Sequence, residues 1–290
     1  MTIVVTGATG QLGRLTVDSL LERGVPAADI RGLGRSAERL APLAALGVQT
    51  AVIDFEQPET LDDAFAGGDA LLLVSGSEVG KRIPQHRNAI EAAVRAGVGR
   101  IVYTSAPHAA DTDLILAPEH AETERLLTES GLPVTVLRNN WYTENYTGQV
   151  DIAAATGELV GSAAGGRVAS ASRKDFAEAA AVVLTTDGHE GAVYELGGDV
   201  AWTFDDLAAT IGDLLGRPVS YRSVTPEAHA AALREAGLDE GTAGFVVALD
   251  GNIRDGALAE VTGTLSELIG RPTTPLAAGL AEAREADAAA

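Results

Sequence analysis

The chain contains no cysteine among its 290 residues. Disulfide bonds, thiol catalysis and cysteine-ligated metal sites are therefore excluded. Long apolar runs are also missing, and the longest are far too short to span a bilayer. The first residues show neither the basic segment nor the apolar stretch of a secretory signal. We therefore expect a cytoplasmic protein that has no membrane segment and binds no metal.

Basic residues are scarce. Lysine and arginine together number 21 against 41 aspartates and glutamates, which gives a formal net charge of −20. Because a nucleic-acid surface needs clustered positive charge, we expect no nucleic-acid partner. An anionic cofactor is still compatible with this composition, since its binding depends on local backbone amides and a few arginines.

The first half of the sequence alternates short apolar strands with amphipathic helical stretches. This rhythm predicts an α/β fold, a Rossmann-type doubly wound parallel sheet with helices on both faces. In such a sheet, ligands bind beyond the carboxyl ends of the strands. The predicted strands cover residues 3–5, 30–33, 48–53, 70–74, 100–104 and 134–137.

The first predicted strand runs directly into a glycine-rich turn, Gly7-Ala8-Thr9-Gly10-Gln11-Leu12-Gly13. Gly7 permits the tight turn, Gly10 lets the backbone approach a pyrophosphate, and Gly13 lets the next helix pack closely on the sheet. The N-terminus of that helix presents N–H groups and a positive dipole end to an anion. The segment predicts a dinucleotide site.

The second predicted strand ends in Gly34-Arg35-Ser36. A site for NAD usually places an acid here to bind the ribose 2′-hydroxyl. Arg35 can instead pair with a 2′-phosphate, and Ser36 can donate a further hydrogen bond. The alternative is that Arg35 is a solvated residue at the start of a helix. The pattern favours NADPH over NADH.

Polar residues follow the third and fourth strands. Asp54 can accept from the adenine amino group, or it can cap the helix that follows. Ser75, Gly76 and Ser77 would let the chain pass close to the ribose and nicotinamide, although the same composition suits an ordinary loop. Their position at the carboxyl edge favours the functional interpretation.

The sixth strand runs into a segment rich in amides and aromatic rings. Asn139 and Asn140 are candidates to hold the nicotinamide carboxamide. Trp141, Tyr142 and Tyr146 are candidates to form a pocket for a flat apolar substrate. The alternative for each of these rings is an aromatic patch that packs the two parts of the protein together. Farther along, Arg173 and Lys174 open a predicted helix, where they can meet the cofactor or the substrate.

Several motifs together resemble the atypical short-chain dehydrogenases/reductases of the NmrA-like group, and within it the bacterial type 2 NAD(P)H:quinone oxidoreductases. The resemblance implies a Rossmann domain with a smaller C-terminal substrate domain, NADPH as donor and a small quinone as acceptor. It also implies cofactor contacts at 7–13, Arg35, 75–77, 139–142 and Arg173. Asn140 departs from the glycine that the family tends to carry, and Lys174 stands where a neutral residue is expected. The matching motifs are GATGQLG at 7–13, SGSEVGKR at 75–82, PQHRN at 84–88, YTS at 103–105, EH-x-x-TE at 119–124, LRNNWYTENY at 137–146, ASASR at 169–173 and YELGGD-x-AWT at 194–203.

The change of rhythm near residue 140 suggests a division into two parts. We expect a Rossmann domain for NADP in residues 1–140, with strand and helix returns near 168–200. Residues 141–290 are expected to form a mostly helical cap that binds the substrate, and the tail 281–290 to be a frayed helix end.

Typical short-chain dehydrogenases use a Tyr-x-x-x-Lys pair, whose tyrosine protonates the carbonyl oxygen. When Glu124 is aligned with the glutamate that often follows that lysine by four residues, His120 takes the lysine position and Leu116 the tyrosine position. This disfavours carbonyl reductase or epimerase chemistry. A reduced quinone is a much weaker base than an alkoxide, so it can take its proton from water, His120 or Tyr142, the two catalytic candidates.

These observations predict an NADPH-dependent quinone reductase that acts as a monomer or homodimer. The rival interpretation is an NmrA-like redox sensor that binds NADP(H) without turnover, because the missing Tyr-Lys pair is compatible with both. The motifs at 75–88 and 137–146 favour the enzyme.

Overall fold

The computed structural model describes residues 1–78 and 80–289. Val79 of the predicted cofactor loop and Ala290 of the predicted tail lie outside the described residues. The chain divides into two compact units. The first comprises Met1–Ala110, Leu116–Asn139 and Arg173–Leu196, and the second comprises Asp111–Ile115, Asn140–Ser172 and Gly197–Ala290.

Strands and helices alternate through the first 139 residues, as the apolar rhythm predicts. Short 3₁₀ turns at Ala27–Asp29 and Pro58–Thr60 interrupt this alternation. The elements are β1 Ile3–Val5, α1 Gln11–Glu22, β2 Ile30–Gly34, α2 Ala37–Ala45, β3 Gln49–Val52, α3 Asp62–Phe65, β4 Ala70–Leu73, α4 Arg82–Arg95, β5 Arg100–Ser105, α5 Ala117–Glu129 and β6 Val134–Asn139.

Of the remaining elements, α7 (Arg173–Thr185) and β9 (Val193–Leu196) belong to the first unit and the others to the second. A 3₁₀ turn at Thr143–Tyr146 precedes them. They are α6 Thr147–Thr156, β7 Glu158–Gly161, β8 Arg167–Val168, α7 Arg173–Thr185, β9 Val193–Leu196, β10 Trp202–Thr203, α8 Phe204–Leu215, β11 Ser220–Ser223, α9 Pro226–Glu235, α10 Glu240–Arg254, α11 Thr264–Ile269 and α12 Leu276–Ala289.

The first unit is built on a seven-stranded sheet in the order β3-β2-β1-β4-β5-β6-β9. Every neighbouring pair is parallel. The strand order reverses between β1 and β4, which is the switch point where ligands bind in this fold. The Rossmann prediction is confirmed.

The sheet contains a seventh strand in addition to the six of the first 139 residues. β9 returns to the sheet and pairs with β6, with Val136 opposite Val193. It lies within residues 168–200, where a strand and a helix are expected to return to the Rossmann domain. The returning segment also brings α7, which packs against α1.

The central strands are covered on both sides, which explains their continuous apolar sequence. Every residue of β1 and of β4 is fully buried. Edge strand β3 is different, because Val52 leaves half of its surface exposed. Burial of the central strands therefore fixes the carboxyl ends of β1, β2 and β4, from which the loops described below emerge.

The second unit contains two small sheets in addition to its helices. β7 pairs with β11 in parallel, and β8 pairs with β10 antiparallel. The ring of Tyr146 is buried and meets Trp202 edge-on at a centroid distance of 4.9 Å. Tyr146 therefore packs on an aromatic ring within the second unit, and its place in a substrate pocket stays a prediction.

Within residues 1–78 and 80–289, none of the helices combines the length and apolar composition that a membrane span needs.

Candidate functional site

A cavity of about 670 Å³ lies at the carboxyl ends of β1 to β4 in the first unit. The turn after β1 forms one part of its wall, and the loops after β2, β3 and β4 form the rest. It brings together most of the residues that the sequence predicted for the cofactor: Gly7, Thr9, Gly10, Gln11, Leu12, Gly13, Arg35, Asp54, Ser75, Gly76, Ser77 and Arg173.

The turn after β1 is fitted to glycine. Gly7 has a φ of +62°, a region that favours glycine. A Cβ on Gly13 would lie 2.3 Å from the carbonyl oxygen of Gly7 and 2.7 Å from its carbon, so α1 can approach the turn only without a side chain there. Ala8 is fully buried and donates its N–H to the carbonyl of Leu33 at 2.9 Å, which ties the turn to β2.

These features fit a dinucleotide. Gly10 precedes α1 and has no side chain that could cap the helix. An anion can therefore reach the first N–H groups of α1 without meeting a Cβ at this position. A pyrophosphate placed there would meet backbone donors and the positive end of the helix dipole. The volume of the cavity lies in the range of small-molecule and cofactor sites.

Cationic side chains gather at the end of the cavity beside β2. Arg35 lies there and donates from Nη1 to Oε1 of Glu78 at 2.9 Å. Arg39 also lines the cavity, and its Nη2 donates to the carbonyl of Thr9 at 3.0 Å. Ser36 caps α2 by accepting from the N–H of Arg39 at 3.3 Å. Sequence reasoning missed Arg39, which lies in the first turn of α2, shortly after Arg35 at the end of β2.

Asp54 serves a local turn and also lines the cavity. Its Oδ1 accepts from the N–H of Glu56 at 2.9 Å, and its own N–H donates to the hydroxyl of Thr60 at 3.0 Å. This is a side-chain-closed turn rather than a helix cap, because Gln57 is the residue that precedes the 3₁₀ helix. The contact of Asp54 with adenine stays a prediction.

The loop after β4 is held by its backbone. The N–H of Ser75 donates to the hydroxyl of Thr104 at 2.9 Å. The N–H of Gly76 donates to Nε2 of His86 at 3.0 Å, and its carbonyl accepts from Nε of Arg82. Both polar groups of the Gly76 peptide are thus fixed by α4, which sets the path of the chain along the cavity.

Buried side chains of α4 and α5 form the support behind this loop. A backbone N–H can only donate, so Nε2 of His86 carries no proton, and Nδ1 donates to the hydroxyl of Thr123 at 3.0 Å. Arg82 lies 3.3 Å from Oε2 of Glu119, whose Oε1 accepts from the N–H of Gly80 at 2.9 Å. Sequence reasoning missed this support, although Arg82 and His86 have the i, i+4 spacing of one helix face.

Burial of His86 predicts that the folded protein loses stability in acid. Burial, followed by the charge of Arg82, lowers the pKa of His86 from 6.5 to about 4. The unfolded chain therefore binds more protons than the folded one between these two values, and stability falls as the pH drops from about 6.5 to 4, by roughly 3 kcal/mol from this one group.

We expect His86→Gln to reduce this dependence, because glutamine can still accept from the N–H of Gly76 but does not titrate. Urea unfolding of both proteins at pH 7, 6, 5 and 4.5 measures it, and the stability difference should shift in favour of the variant as the pH falls. Parallel curves for the two proteins would show that His86 is not the titrating group.

His120 lies within the first unit on α5. It is buried, and its Nδ1 lies 2.8 Å from the hydroxyl of Tyr103. Burial, with smaller contributions from Arg82 and His86, lowers the pKa of His120 to about 3, so the ring is neutral at neutral pH. Any proton that His120 gives must therefore come from a neutral imidazole.

The predicted nicotinamide segment is divided between the units. Asn139 ends β6 in the first unit, and residues 140–142 belong to the second. Within the second unit, Asn140 accepts from the N–H of Trp141 at 2.6 Å and donates to the carbonyl of Leu258 at 3.2 Å. Tyr142 forms a parallel bridge with Ala171. The assignments of these four residues to the cofactor, and of Tyr142 to catalysis, stay predictions.

Ser105 ends β5, where typical short-chain dehydrogenases place their catalytic serine. Its hydroxyl donates to Oε1 of Glu124 at 2.6 Å. Glu124 in turn binds Arg138 through two hydrogen bonds, and Arg138 also binds Glu195. The hydroxyl of Ser105 is therefore hydrogen-bonded to a charged network in the first unit.

Comparison with known proteins agrees with this geometry. A family model described as NAD(P)H-binding matches residues 7–187. The chain is 46% identical to Quinone oxidoreductase 2 of Escherichia coli (strain K12) over 275 residues, which covers 95% of this chain and 96% of that protein.

Solved structures give the same result. An NADPH-dependent quinone oxidoreductase from Escherichia coli, complexed with NADPH, matches with a TM-score of 0.93 and 45% identity over 97% of this chain and 99% of that chain. The triphenylmethane reductase of Citrobacter sp., complexed with NADP(H), matches with a TM-score of 0.92 and 37% identity over 97% of this chain and 100% of that chain. The chain therefore belongs to the NAD(P)H-binding family of NmrA-like, atypical short-chain dehydrogenases/reductases that includes Escherichia coli quinone oxidoreductase 2.

Proposed function

We propose that the protein is an NADPH-dependent oxidoreductase that transfers a hydride to a small quinone in a two-electron reduction. The observation that carries this proposal is the similarity to the Escherichia coli quinone oxidoreductase along nearly the whole of both chains. The cavity in the first unit supports the cofactor part, because its glycine turn and its arginines suit a phosphorylated dinucleotide.

The residues of the cavity have distinct tasks in this proposal. The turn at 7–13 holds the pyrophosphate through backbone N–H groups, and Arg35 and Arg39 hold the 2′-phosphate. Ser75, Gly76 and Ser77 position the ribose and nicotinamide, and Arg173 adds a further positive charge. When bound, NADPH supplies the hydride. Catalysis by the chain is then mainly orientation of the donor against a flat acceptor.

The proton requirement of the reaction is modest. Because the reduced quinone is a weak base, water suffices as a proton source, and His120 and Tyr142 are the side chains that we propose as donors. For His120 the donor would be the neutral imidazole, whose Nδ1 already lies against Tyr103.

The proposal also covers substrate binding, oligomeric state, location and partners. We assign substrate binding to the second unit, through residues 140–142, and a monomeric or homodimeric state to the protein. We also place it in the cytoplasm, where NADPH is a main reductant, and assign it no nucleic-acid partner because of its net charge of −20.

An oxidation assay tests the function directly. NADPH consumption is followed by its near-ultraviolet absorbance, with and without a benzoquinone or a naphthoquinone. We expect acceptor-dependent oxidation with one quinol formed per NADPH. Tight NADPH binding without such oxidation, across several quinones, would instead support the redox sensor.

Replacement of Arg35 tests the cofactor assignment. We expect Arg35→Ala to raise the KM for NADPH roughly 10- to 100-fold, because it removes charged hydrogen bonds worth about 1.5–3 kcal/mol. The KM for NADH should change much less, since NADH has no 2′-phosphate. Steady-state kinetics with both cofactors measure this, and equal effects on the two would contradict the 2′-phosphate assignment.

A further inference from the structure

Glu78 places its carboxylate between two cations of the cofactor cavity. Its Oε1 accepts from Nη1 of Arg35 at 2.9 Å, and its Oε2 lies 3.3 Å from Nζ of Lys81. Lys81 also donates to Oε1 of Glu56 at 3.1 Å. All four side chains line the cavity.

The carboxylate makes the contacts that a phosphate would make here. Each of its oxygens binds a different cation, and one of these cations is the arginine that follows β2, where a 2′-phosphate is expected. The side chain of Arg35 is 75% exposed, so its pair with Glu78 is weak and readily exchanged. Hydrogen bonds from Glu56 and Glu78 raise the pKa of Lys81, which keeps the ammonium charged.

We infer that Glu78 sets the cofactor preference by competing with the 2′-phosphate of NADPH for Arg35 and Lys81. The inference rests on the proposed use of NADPH. A bound 2′-phosphate must displace this carboxylate from the two cations. The phosphate then stays close to the negative charge of Glu78. Both effects weaken NADPH binding, and neither acts on NADH, which carries no 2′-phosphate.

The same carboxylate offers NADH a partner. In NAD sites an acid after the second strand accepts from the ribose hydroxyl. That position holds Arg35 here, and Glu78 brings an acid to it from the loop after β4. Glu78 thus reduces the discrimination between NADPH and NADH in two ways. It repels the 2′-phosphate of NADPH, and it accepts a hydrogen bond from the ribose hydroxyl of NADH.

Binding measurements on Glu78→Gln test this inference. NADPH and NADH dissociation constants are measured by fluorescence titration without a quinone. We expect the Kd for NADPH to fall roughly three- to tenfold, in line with the removal of one like charge close to the phosphate. The Kd for NADH should rise or stay the same. A weaker affinity for NADPH, or an unchanged ratio of the two constants, would overturn the inference.

Two comparisons make the test specific. Glu59→Gln removes the same charge from an exposed position outside the residues that line the cavity, so it should leave the ratio unchanged. In an Arg35→Ala background, Glu78→Gln should have a smaller effect on NADPH binding, because one of the two contested cations is gone. Equal effects in both backgrounds would overturn the competition with Arg35.

Failure of this inference can be told apart from failure of the proposed function. If the parent protein binds NADPH and reduces a quinone while Glu78→Gln leaves the ratio unchanged, only the inference fails. If the parent protein does not bind NADPH, the proposed function fails.

Discussion

Gly13→Ala is expected to weaken NADPH binding by about 100-fold, the equivalent of about 3 kcal/mol. The new Cβ would lie 2.3 Å from the carbonyl oxygen of Gly7 and 2.7 Å from its carbon, and both atoms belong to the backbone. Neither can rotate away as a side chain can. The turn and the start of α1 must separate, which moves the N–H groups that receive the pyrophosphate. Fluorescence titration with NADPH measures the loss.

A graded series of glycines controls this prediction. A Cβ on Gly10 would lie 3.2 Å from the carbonyl oxygen of Gly7, so Gly10→Ala should weaken binding less than Gly13→Ala. Gly148 lies in α6, and a Cβ there meets open space in the part of the chain that the structure describes. Gly148→Ala should therefore leave NADPH affinity unchanged. Thermal unfolding of all three variants separates altered binding from altered folding, and near-native affinity in folded Gly13→Ala would contradict the argument.

The first unit was predictable because its signals are local. Strands buried on both faces leave continuous apolar runs, and the turn at 7–13 follows one of them directly. Arg35 was predictable for a similar reason, since its place at the end of β2 puts it at the carboxyl edge of the sheet. In each case sequence position alone decides where the residue lies.

The missed residues depend on contacts between distant segments. Arg82 and His86 support the cofactor loop only because α4 packs beside α5, where Glu119 and Thr123 complete the network. Glu78 meets Arg35 across 43 residues of sequence. No periodicity reports such pairs, so the predicted site contained the residues at strand ends but lacked those that hold or oppose them.

The charged network around Arg138 leads to the largest stability effect that we expect. Arg138 binds both oxygens of Glu124 at 2.6 and 3.0 Å and also Oε1 of Glu195 at 2.8 Å. These hydrogen bonds, that with Glu124 above all, raise the pKa of Arg138, so it stays charged at every working pH. Its side chain is 14% exposed and that of Glu124 13%, which means that water compensates little of a lost partner.

Arg138→Met should therefore lower the free energy of unfolding by about 3–5 kcal/mol, because it takes a guanidinium away from the poorly solvated carboxylate of Glu124 and also from Glu195. Arg125→Met is the matched control. Arg125 pairs with Glu122 and Glu129 on the exposed face of α5, where solvent replaces the lost contacts, so its unfolding midpoint should stay close to that of the parent. Urea unfolding at pH 7 measures both variants. Equal midpoints for the two variants would show that the network does not act as a buried charge cluster.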